Sequence, residues 1–482
     1  MSNYELALGL KLRNGLIIKV PPSLSATTTY VLLEQEEWFE KEIIFLTHFL
    51  KPGMTAIDIG ANLGVYSMPM ARLVSPSGTI ISYEPGGEAR AFLEDSRESN
   101  GFGNLEIVGM ALSDREREGH LGFAASSEQR ALDNAGIGER VRVTSLDSEN
   151  AARSWPAVDF VKIDAEGEEE RIINGGRSFF AAHSPLVMFE VRAGNKVNEN
   201  LRPMFSAIGY KIYRQLVGNP ILVPVDATQP LDEYELNLFA AKPDRAQALS
   251  QQGLLIDPIP QWTPEPLHHK EAMTFWRRQI FASRLKLPND SASSADPDYQ
   301  NALTGYAIWR ANDQTTALRC AALAFALQSV RAACIRALTV ERASTWARIA
   351  WEWGARGESV AALAQLLQNL TGSTRLKEPF WPAAARFDDI SPDDQPLDWF
   401  AAAAAEQYER TFSFSSLFSG PSPRLAWLGN QRFASAEMER RRILTAALAG
   451  MRPKVSKRLC EPATDHLNAA VWRTGAVPGT VK

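Results

Sequence analysis

The chain has 482 residues, a formal net charge of −5 and 45% apolar residues. Because a single hydrophobic core rarely extends beyond about 250–300 residues, this length predicts at least two domains. The mild acidity argues against a nucleic-acid partner or an anionic membrane surface, since both attract basic patches.

Neither the cysteines nor the apolar segments point to secretion or to a membrane. Cys320, Cys334 and Cys460 lack metal-ligand spacing and favour a reducing compartment. The N-terminus lacks the pattern of a signal peptide, and no segment reads as a run of about 18 apolar residues. We therefore expect a cytoplasmic protein without a membrane span.

The first half alternates short apolar segments with helical patterns, which predicts a mostly parallel sheet covered on both faces. A hairpin around Gly218 and a last strand should complete this sheet. The predicted strands are TAIDIG (55–60), TIISYEP (79–85), LEIVGMAL (105–112), DFVKID (159–164), PLVMFEV (185–191), YKIYRQLVGNPILVPV (210–225, the hairpin) and ELNLFAAKP (235–243).

The first of these strands runs into a glycine-rich turn and then a helix. Its sequence places Asp58 in the strand, followed by Gly60, Asn62 and Gly64. Unpaired N–H groups at a helix start and bare glycine backbone form a ligand site. No lysine follows, as a phosphate-binding loop would require, and the third glycine of a dinucleotide fingerprint is missing. The pattern is closest to the first motif of class I S-adenosylmethionine (SAM) methyltransferases, although a loop-bracing role for Asp58 on another doubly wound fold is the alternative.

Glu84 ends the second strand about 20 residues after this turn, where nucleoside-binding folds hold ribose hydroxyls. The alternative is a solvated acid in a Glu-Pro turn. Ala111, near the end of the third predicted strand, suits the flat face of an adenine, but it could equally belong to the core.

Asp164 and Glu166 follow the fourth strand, at the edge where such sheets bind ligands. The next acids, Glu168 to Glu170, are better explained by the preference of a helix start for negative charge.

These motifs together resemble those of the FkbM-type methyltransferases. The resemblance runs from about Trp38 to Val191 and includes GMTAIDIGANLGVYS, ISYEP, ALSD, VTSLD and DFVKIDAEGEE in that order. It implies a Rossmann-like class I fold, SAM as cofactor and O-methylation of a hydroxyl on a sugar, glycan or glycosylated product. It also implies cofactor contacts from Asp58, Gly60, Asn62, Gly64 and Glu84, and it implies that Asp164 and Glu166 lie beside the methyl group and the acceptor. Ala111 and Asp164 are predicted as further cofactor contacts. One departure is Gly86-Gly87, where the family usually has bulkier or polar residues.

An alcohol attacks a methyl group more readily when a base removes its proton. Asp164 is the first candidate for this base, with Glu166, Glu190 and His183 as alternatives. A divalent ion beside Asp164 and Glu190 is conceivable, but no histidine-containing ligand pattern supports it, so no metal is predicted.

The second half is predicted to be entirely helical. We expect a methyltransferase domain at 1–245, a turn-rich linker at 246–275 and a helical domain at 276–482. Trp346, Ile349, Ala350 and Trp353 form one apolar helix face, and with a break at Gly357 they resemble one tetratricopeptide unit. An ordinary helical bundle explains the same pattern.

The sequence therefore favours a SAM-dependent O-methyltransferase with an appended helical domain that contacts the acceptor or a protein partner. The alternative is a SAM-fold protein without catalysis that acts as a scaffold through its helices. An NAD-dependent oxidoreductase is disfavoured by the missing third glycine.

Overall fold

The fold is taken from a computed structural model of the whole chain. It describes residues 7–122, 130–133, 136–193, 196–226, 228–285, 296–460 and 467–475. The first half is an α/β unit, and the region after residue 260 is helical among these residues.

Strands occur only in the first half of the described chain, where apolar and β-branched residues dominate the short segments. They are β1 (Leu8–Lys11), β2 (Ile17–Val20), β3 (Thr55–Ile59), β4 (Thr79–Tyr83), β5 (Leu105–Val108), β6 (Met110–Leu112), β7 (Arg117–Leu121), β8 (Leu132–Asp133), β9 (Glu139–Thr144), β10 (Phe160–Ile163), β11 (Leu186–Glu190), β12 (Arg192–Ala193), β13 (Lys196–Val197), β14 (Lys211–Leu216), β15 (Ile221–Pro224) and β16 (Asn237–Ala241).

Helices connect the strands and make up the second half. Those of the first half are α1 (Thr27–Gln35), α2 (Glu42–Phe49), α3 (Ser67–Val74), α4 (Gly87–Asn100), α5 (Leu146–Arg153), α6 (Glu169–Asn174), α7 (Arg177–His183), α8 (Leu201–Ala207) and α9 (Pro243–Gln251). The later ones are α10 (Pro266–Arg277), α11 (Pro297–Arg310), α12 (Thr316–Arg336), α13 (Val340–Trp353), α14 (Arg356–Asn369), α15 (Pro396–Phe412), α16 (Ser416–Ser419), α17 (Pro423–Leu428), α18 (Ala436–Leu448), α19 (Lys457–Cys460) and α20 (Ala469–Thr474).

The main sheet has eight strands in the order β15-β14-β16-β11-β10-β3-β4-β5. The five strands from β11 to β5 are parallel, and β16, β14 and β15 are antiparallel. This confirms the predicted Rossmann-like sheet and its closing hairpin. The parallel strands β3, β4, β10 and β11 are buried along most of their length, which explains why they read as continuous apolar runs, whereas Glu106 of the edge strand β5 is exposed.

Three predicted details were wrong. The segment 105–112 is not one strand, because the chain leaves the main sheet at Gly109 and β6 joins a second sheet of order β6-β9-β7-β8. The segment after Lys242 contains helix α9, whose Leu249 is buried in the core. The break between α13 and α14 falls at Gly354, with φ of 88°, and not at Gly357.

Consecutive helices of the second half pack against one another around Trp309, Trp381 and Trp399, which are almost fully buried. Helix α11 approaches α12 closely at Gly305, where a Cβ would lie 2.6 Å from the carbonyl oxygen of Ala322. Contrary to the sequence expectation, α12 is long and apolar enough to cross a membrane by length and composition, and 56% of its apolar stretch is buried inside the protein. That burial is typical of a core helix.

The two ends of the chain pack together. Helix α18 lies against α1, and its Ile443 and Leu444 belong to the same apolar cluster as the first strands. Buried charges join the two helices, because the Arg440 Nε atom donates to the Glu34 carbonyl at 2.6 Å and Arg441 lies 3.4 Å from the Glu34 carboxylate.

Candidate functional site

A cavity of about 230 Å³ opens at the carboxyl edge of the parallel strands. Its walls come from the turns after β3, β4, β10 and β11, from the second sheet and from the segment before α2. Because parallel strands end at one edge, the topology brings together turns that are more than 100 residues apart in the chain.

Gly60 forms the tightest point of the turn after β3. Its φ is +76°, and a Cβ there would lie 1.7 Å from the carbonyl oxygen of Asp164. Only glycine therefore permits this contact between the turns after β3 and β10. The close approach leaves bare backbone on the cavity wall.

Glu84 lies beside this turn with both carboxylate oxygens hydrogen-bonded. Its Oε2 accepts from the backbone N–H of Asn62 at 2.8 Å, and its Oε1 accepts from that of Gly86 at 2.7 Å. Burial raises the pKa of Glu84 to about 7, although these bonds and the nearby Arg90 and Arg130 oppose the shift. Each carboxylate oxygen can accept a second hydrogen bond, so the group retains capacity for ligand hydroxyls.

The wall next to Glu84 is largely apolar. Met110, Ala111 and Leu112 of β6 line it, together with Leu121 and Leu132 of the second sheet. The second sheet, which the sequence did not predict, thus extends the cavity away from the main sheet. Such a surface suits a flat heterocyclic ring.

Lys162 is a buried cation in the middle of the site. Its side chain is 3% exposed, and its Nζ lies 2.8 Å from Asp164 Oδ2, 3.7 Å from Asp58 Oδ1 and 5.0 Å from the ring centre of Tyr66. Burial lowers the pKa of Lys162, but the carboxylates of Asp164 and Asp58 outweigh this effect and hold that pKa above its usual range. The ammonium group therefore stays charged and stabilises both carboxylates.

Asp164, Glu166 and Glu190 each offer a carboxylate oxygen within 4.8 Å of the others. Burial and the neighbouring Asp164 carboxylate raise the pKa of Glu190 far above its usual range. Glu190 is consequently protonated at neutral pH. Three converging carboxylates also match the ligand preference of a hard cation, although the ammonium of Lys162 already neutralises part of their charge.

The segment before α2 supplies a further acid. Glu40 Oε2 accepts from the hydroxyl of Tyr66 at 2.6 Å and from the amide of Asn237 at 2.9 Å, and Glu40 Oε1 accepts from the indole of Trp38 at 3.0 Å. Glu40, Trp38 and Tyr66 all line the cavity. This segment therefore forms part of the cavity wall.

The structure brings most of the predicted site residues into the cavity wall: Gly60, Asn62, Glu84, Ala111, Asp164, Glu166 and the alternative base Glu190.

Three predicted residues are not among those that line the cavity. Asp58 is fully buried beneath the turn, where it accepts a 2.6 Å hydrogen bond from Ser67 and pairs with Lys162, so its role is to brace the strand. Gly64 serves packing, since a Cβ there would lie 2.5 Å from Leu93. The alternative base His183 precedes β11 and so lies at the opposite edge of the sheet, bonded to Asn150.

The sequence reasoning missed Lys162, Glu40 and Tyr66. A signal for Lys162 existed, because a lysine inside an apolar strand two residues before Asp164 must share its face. Lys162 is also the register partner of Asp58 on β3. No comparable pattern marked Glu40, whose partners lie far away in the chain.

Residues 58–212 match the family model described as the methyltransferase FkbM domain. This match covers the turn after β3, Glu84, Lys162, Asp164 and Glu190. The chain contains an FkbM methyltransferase domain. The matched segment is about a third of the chain, and the helical region lies outside it.

Solved structures similar to this chain include several methyltransferases. The FkbM methyltransferase of Methylobacillus flagellatus KT is 14% identical, with a TM-score of 0.28, over 39% of this chain and 43% of its own. A SAM-dependent O-methyltransferase of Thermotoga maritima is 17% identical, with a TM-score of 0.25, over 42% of this chain and 64% of its own. An O-methyltransferase of Bacillus cereus in complex with SAH is 13% identical, with a TM-score of 0.24, over 45% and 81%.

All three TM-scores are below 0.5, so the assignment of residues 58–212 to the FkbM methyltransferase domain rests on the family model. The chain spans less than half of the Methylobacillus protein. No curated protein sequence matches the chain.

Proposed function

We propose that the protein is a SAM-dependent O-methyltransferase whose acceptor is a hydroxyl of a sugar, glycan or glycosylated small molecule. One observation carries this proposal: a single cavity in the FkbM domain joins a nucleoside-type subsite at Glu84 to the carboxyl pair of Asp164 and Glu190. A cytoplasmic location and a protein partner for the helices belong to the same proposal. The free cysteines are compatible with that location.

The residues present suit SAM. Bare backbone at Gly60 leaves room for a ligand, the carboxylate of Glu84 retains acceptor capacity for ribose hydroxyls, and Ala111 lies in the apolar wall next to it. At the other end, the acids around Lys162 favour a cationic group over an anionic one. When bound, SAM supplies a methyl group already activated by its positively charged sulfur.

The chain's own residues then orient the acceptor and take up the proton of its hydroxyl. Lys162 places a positive charge 2.8 Å from Asp164, and the Asp164 carboxylate would take the proton of the acceptor hydroxyl as the new carbon–oxygen bond forms and the carbon–sulfur bond breaks. Glu190 is protonated and donates a hydrogen bond, which orients Asp164 or the acceptor oxygen. Alignment of oxygen, methyl and sulfur supplies most of the rate enhancement.

Two measurements test this proposal. Titration calorimetry with SAM and SAH should detect binding to the wild type and to Asp164→Asn, but not to Glu84→Ala. The rate of transfer of tritiated methyl groups from SAM to extracts of the source organism should be about 100-fold or more lower for Asp164→Asn than for the wild type if Asp164 is the base.

Asp164→Asn that methylates at the wild-type rate would exclude Asp164 as the base. A wild-type protein that binds neither SAM nor SAH would favour the alternative in which the fold serves as a scaffold. A product methylated on nitrogen would leave the assignment of SAM as cofactor intact but would show that the acceptor group is not a hydroxyl.

A further inference from the structure

The turn after β4 contains Gly86-Gly87, where the chain departs from the FkbM pattern. Gly86 has φ of −69° and ψ of 117°, which any residue adopts, so backbone freedom does not explain this glycine. A Cβ at Gly86 would lie 3.0 Å from Glu84 Oε1 and 3.3 Å from Arg130 Nη1. A Cβ at Gly87 would lie 3.0 Å from Glu139 Oε1. The two glycines thus leave room for an arginine just before β8 and a glutamate at the start of β9.

Arg130 is fixed to the second sheet at the edge of the cavity. Its Nε atom donates to the Gly122 carbonyl at 3.0 Å, and its Nη2 atom donates to the Leu121 carbonyl at 3.3 Å. The same Nη2 atom lies 2.9 Å from Glu139 Oε2, and Glu139 Oε1 accepts from the Gly87 N–H at 2.9 Å. The Arg130 side chain is 14% exposed and lines the cavity. This arginine–glutamate pair therefore joins the second sheet to the start of α4.

Arg130 places a positive charge beside Glu84. The Arg130 Nη1 atom and Glu84 Oε1 both lie within 3.3 Å of the position that a Cβ would take at Gly86, so the two charged groups are neighbours. A second cation, Arg90 of α4, donates to the Glu84 backbone carbonyl at 3.3 Å. Burial raises the pKa of Glu84 to about 7, and both arginines oppose that rise. The acid of the second sheet at this point, Glu139, is paired with Arg130.

The charge of Glu84 bears directly on cofactor binding. In the proposed function the ribose hydroxyls of SAM donate to this carboxylate, and hydrogen bonds to an ionised acceptor are about twice as strong as those between neutral groups. Because the pKa of Glu84 lies near neutrality, the charges around it decide how much of the protein carries the ionised form. Arg130 belongs to another sheet than Glu84, so its effect depends on the packing of the second sheet against this turn.

We propose that Arg130 is a positioning residue for the cofactor: held by Glu139, its positive charge stabilises the Glu84 carboxylate that accepts the ribose hydroxyls of SAM. This inference rests on the proposed function. It gives the second sheet a task in cofactor binding, and it gives a reason for the two glycines that follow Glu84, since bulkier residues there would displace the arginine–glutamate pair.

The test is titration calorimetry of the full chain with SAH across a pH series from about 6 to about 9.5. Arg130→Met should shift the pH midpoint of SAH affinity upward by about one pH unit, weaken binding about fivefold at about pH 7 and approach the wild type above about pH 9. Arg130→Lys, which keeps the charge, should retain most of the wild-type profile. The matched control is Arg140→Met, since Arg140 lies on β9, is 74% exposed, pairs with Glu118 and is not among the described residues that line the cavity.

A further variant separates an effect through Glu84 from an effect on folding. In a Glu84→Gln background, Arg130→Met should change SAH affinity by less than about twofold, because the group on which it acts no longer titrates. Circular dichroism establishes that each variant is folded.

An unchanged midpoint in Arg130→Met would overturn the positioning role, as would a loss of affinity by the same factor at every pH. An equal shift in Arg140→Met would assign the effect to the overall charge of the sheet and also reject the inference. A wild type that binds SAH at no pH would instead overturn the proposed function.

Discussion

Replacing Lys162 by methionine tests the charge balance at the centre of the site. The substitution keeps the length of the side chain but removes the ammonium that lies 2.8 Å from Asp164 Oδ2 and 3.7 Å from Asp58 Oδ1. With an effective dielectric constant of about 20, these two attractions are worth about 6 and about 4.5 kcal/mol before the cost of burial. Burying the three ions cancels much of this gain, so the sum is no measure of the net stabilisation.

The loss expected for Lys162→Met is about 3–5 kcal/mol, because it leaves the buried carboxylate of Asp58 and the partly exposed carboxylate of Asp164 without their cation. Urea unfolding followed by tryptophan fluorescence should show this loss, whereas Lys51→Met on the exposed surface should cost less than about 0.5 kcal/mol. The double variant Asp58→Asn/Lys162→Met should recover part of the stability, since it removes one of the unpaired charges. A cost for Lys162→Met as small as that of Lys51→Met would refute the reasoning.

Three further changes probe the same cavity. Gly60→Ala should lower the free energy of unfolding by about 3 kcal/mol or more, and calorimetry should detect no SAM binding, because the added Cβ lies 1.7 Å from the Asp164 carbonyl oxygen. Gly53→Ala is the control: Gly53 also has a positive φ, of +90°, but the added Cβ meets open space, so the loss should be only about 1 kcal/mol. SAM affinity should rise with pH through about 7, because ribose hydroxyls need the ionised form of Glu84 and burial raises its pKa to about 7. Calorimetric titrations across this pH range should show weaker SAM binding that does not depend on pH for Glu84→Gln. By the same linkage, Glu84 stabilises the free protein below its ordinary pKa of 4.5, and that contribution is lost as the pH passes about 7. Glu190→Gln should keep the methylation rate within about threefold, because Glu190 is already protonated, and a loss as large as that of Asp164→Asn would make Glu190 the base.

The sequence predicted the main sheet well because its strands are short, apolar and separated by clear turn residues. It missed the second sheet, whose strand β7 (REGHL) is polar and only partly buried. The sequence predicts β5 and β6 as one strand, because no local pattern distinguishes a continuous strand from one that passes to another sheet at a glycine. Pairing partners of such strands are distant in sequence, and a local pattern does not contain them.

The site likewise contains residues that the order of the strands places and residues that only tertiary packing brings in. Gly60, Glu84 and Asp164 follow strands in a known order, so strand ends alone place them on one edge. Glu40 comes from the segment before α2, and only the packing of that segment over the sheet brings it to Tyr66 and Asn237. For Asp58, the sequence indicated an important residue but not what it contacts. A carboxylate inside a buried strand can serve a ligand site or an internal ion pair, and in this structure Asp58 forms the ion pair with Lys162.

The contact between α1 and α18 means that the first helix and a helix near the C-terminal end support each other across about 400 residues. Ending the chain after the α/β half would remove Arg440 and Arg441 from Glu36 and Glu34 and uncover the apolar surface that Ile443 and Leu444 of α18 bury. A truncated protein that keeps α1 but lacks α18 should therefore precipitate, and functional studies will need both ends of the polypeptide.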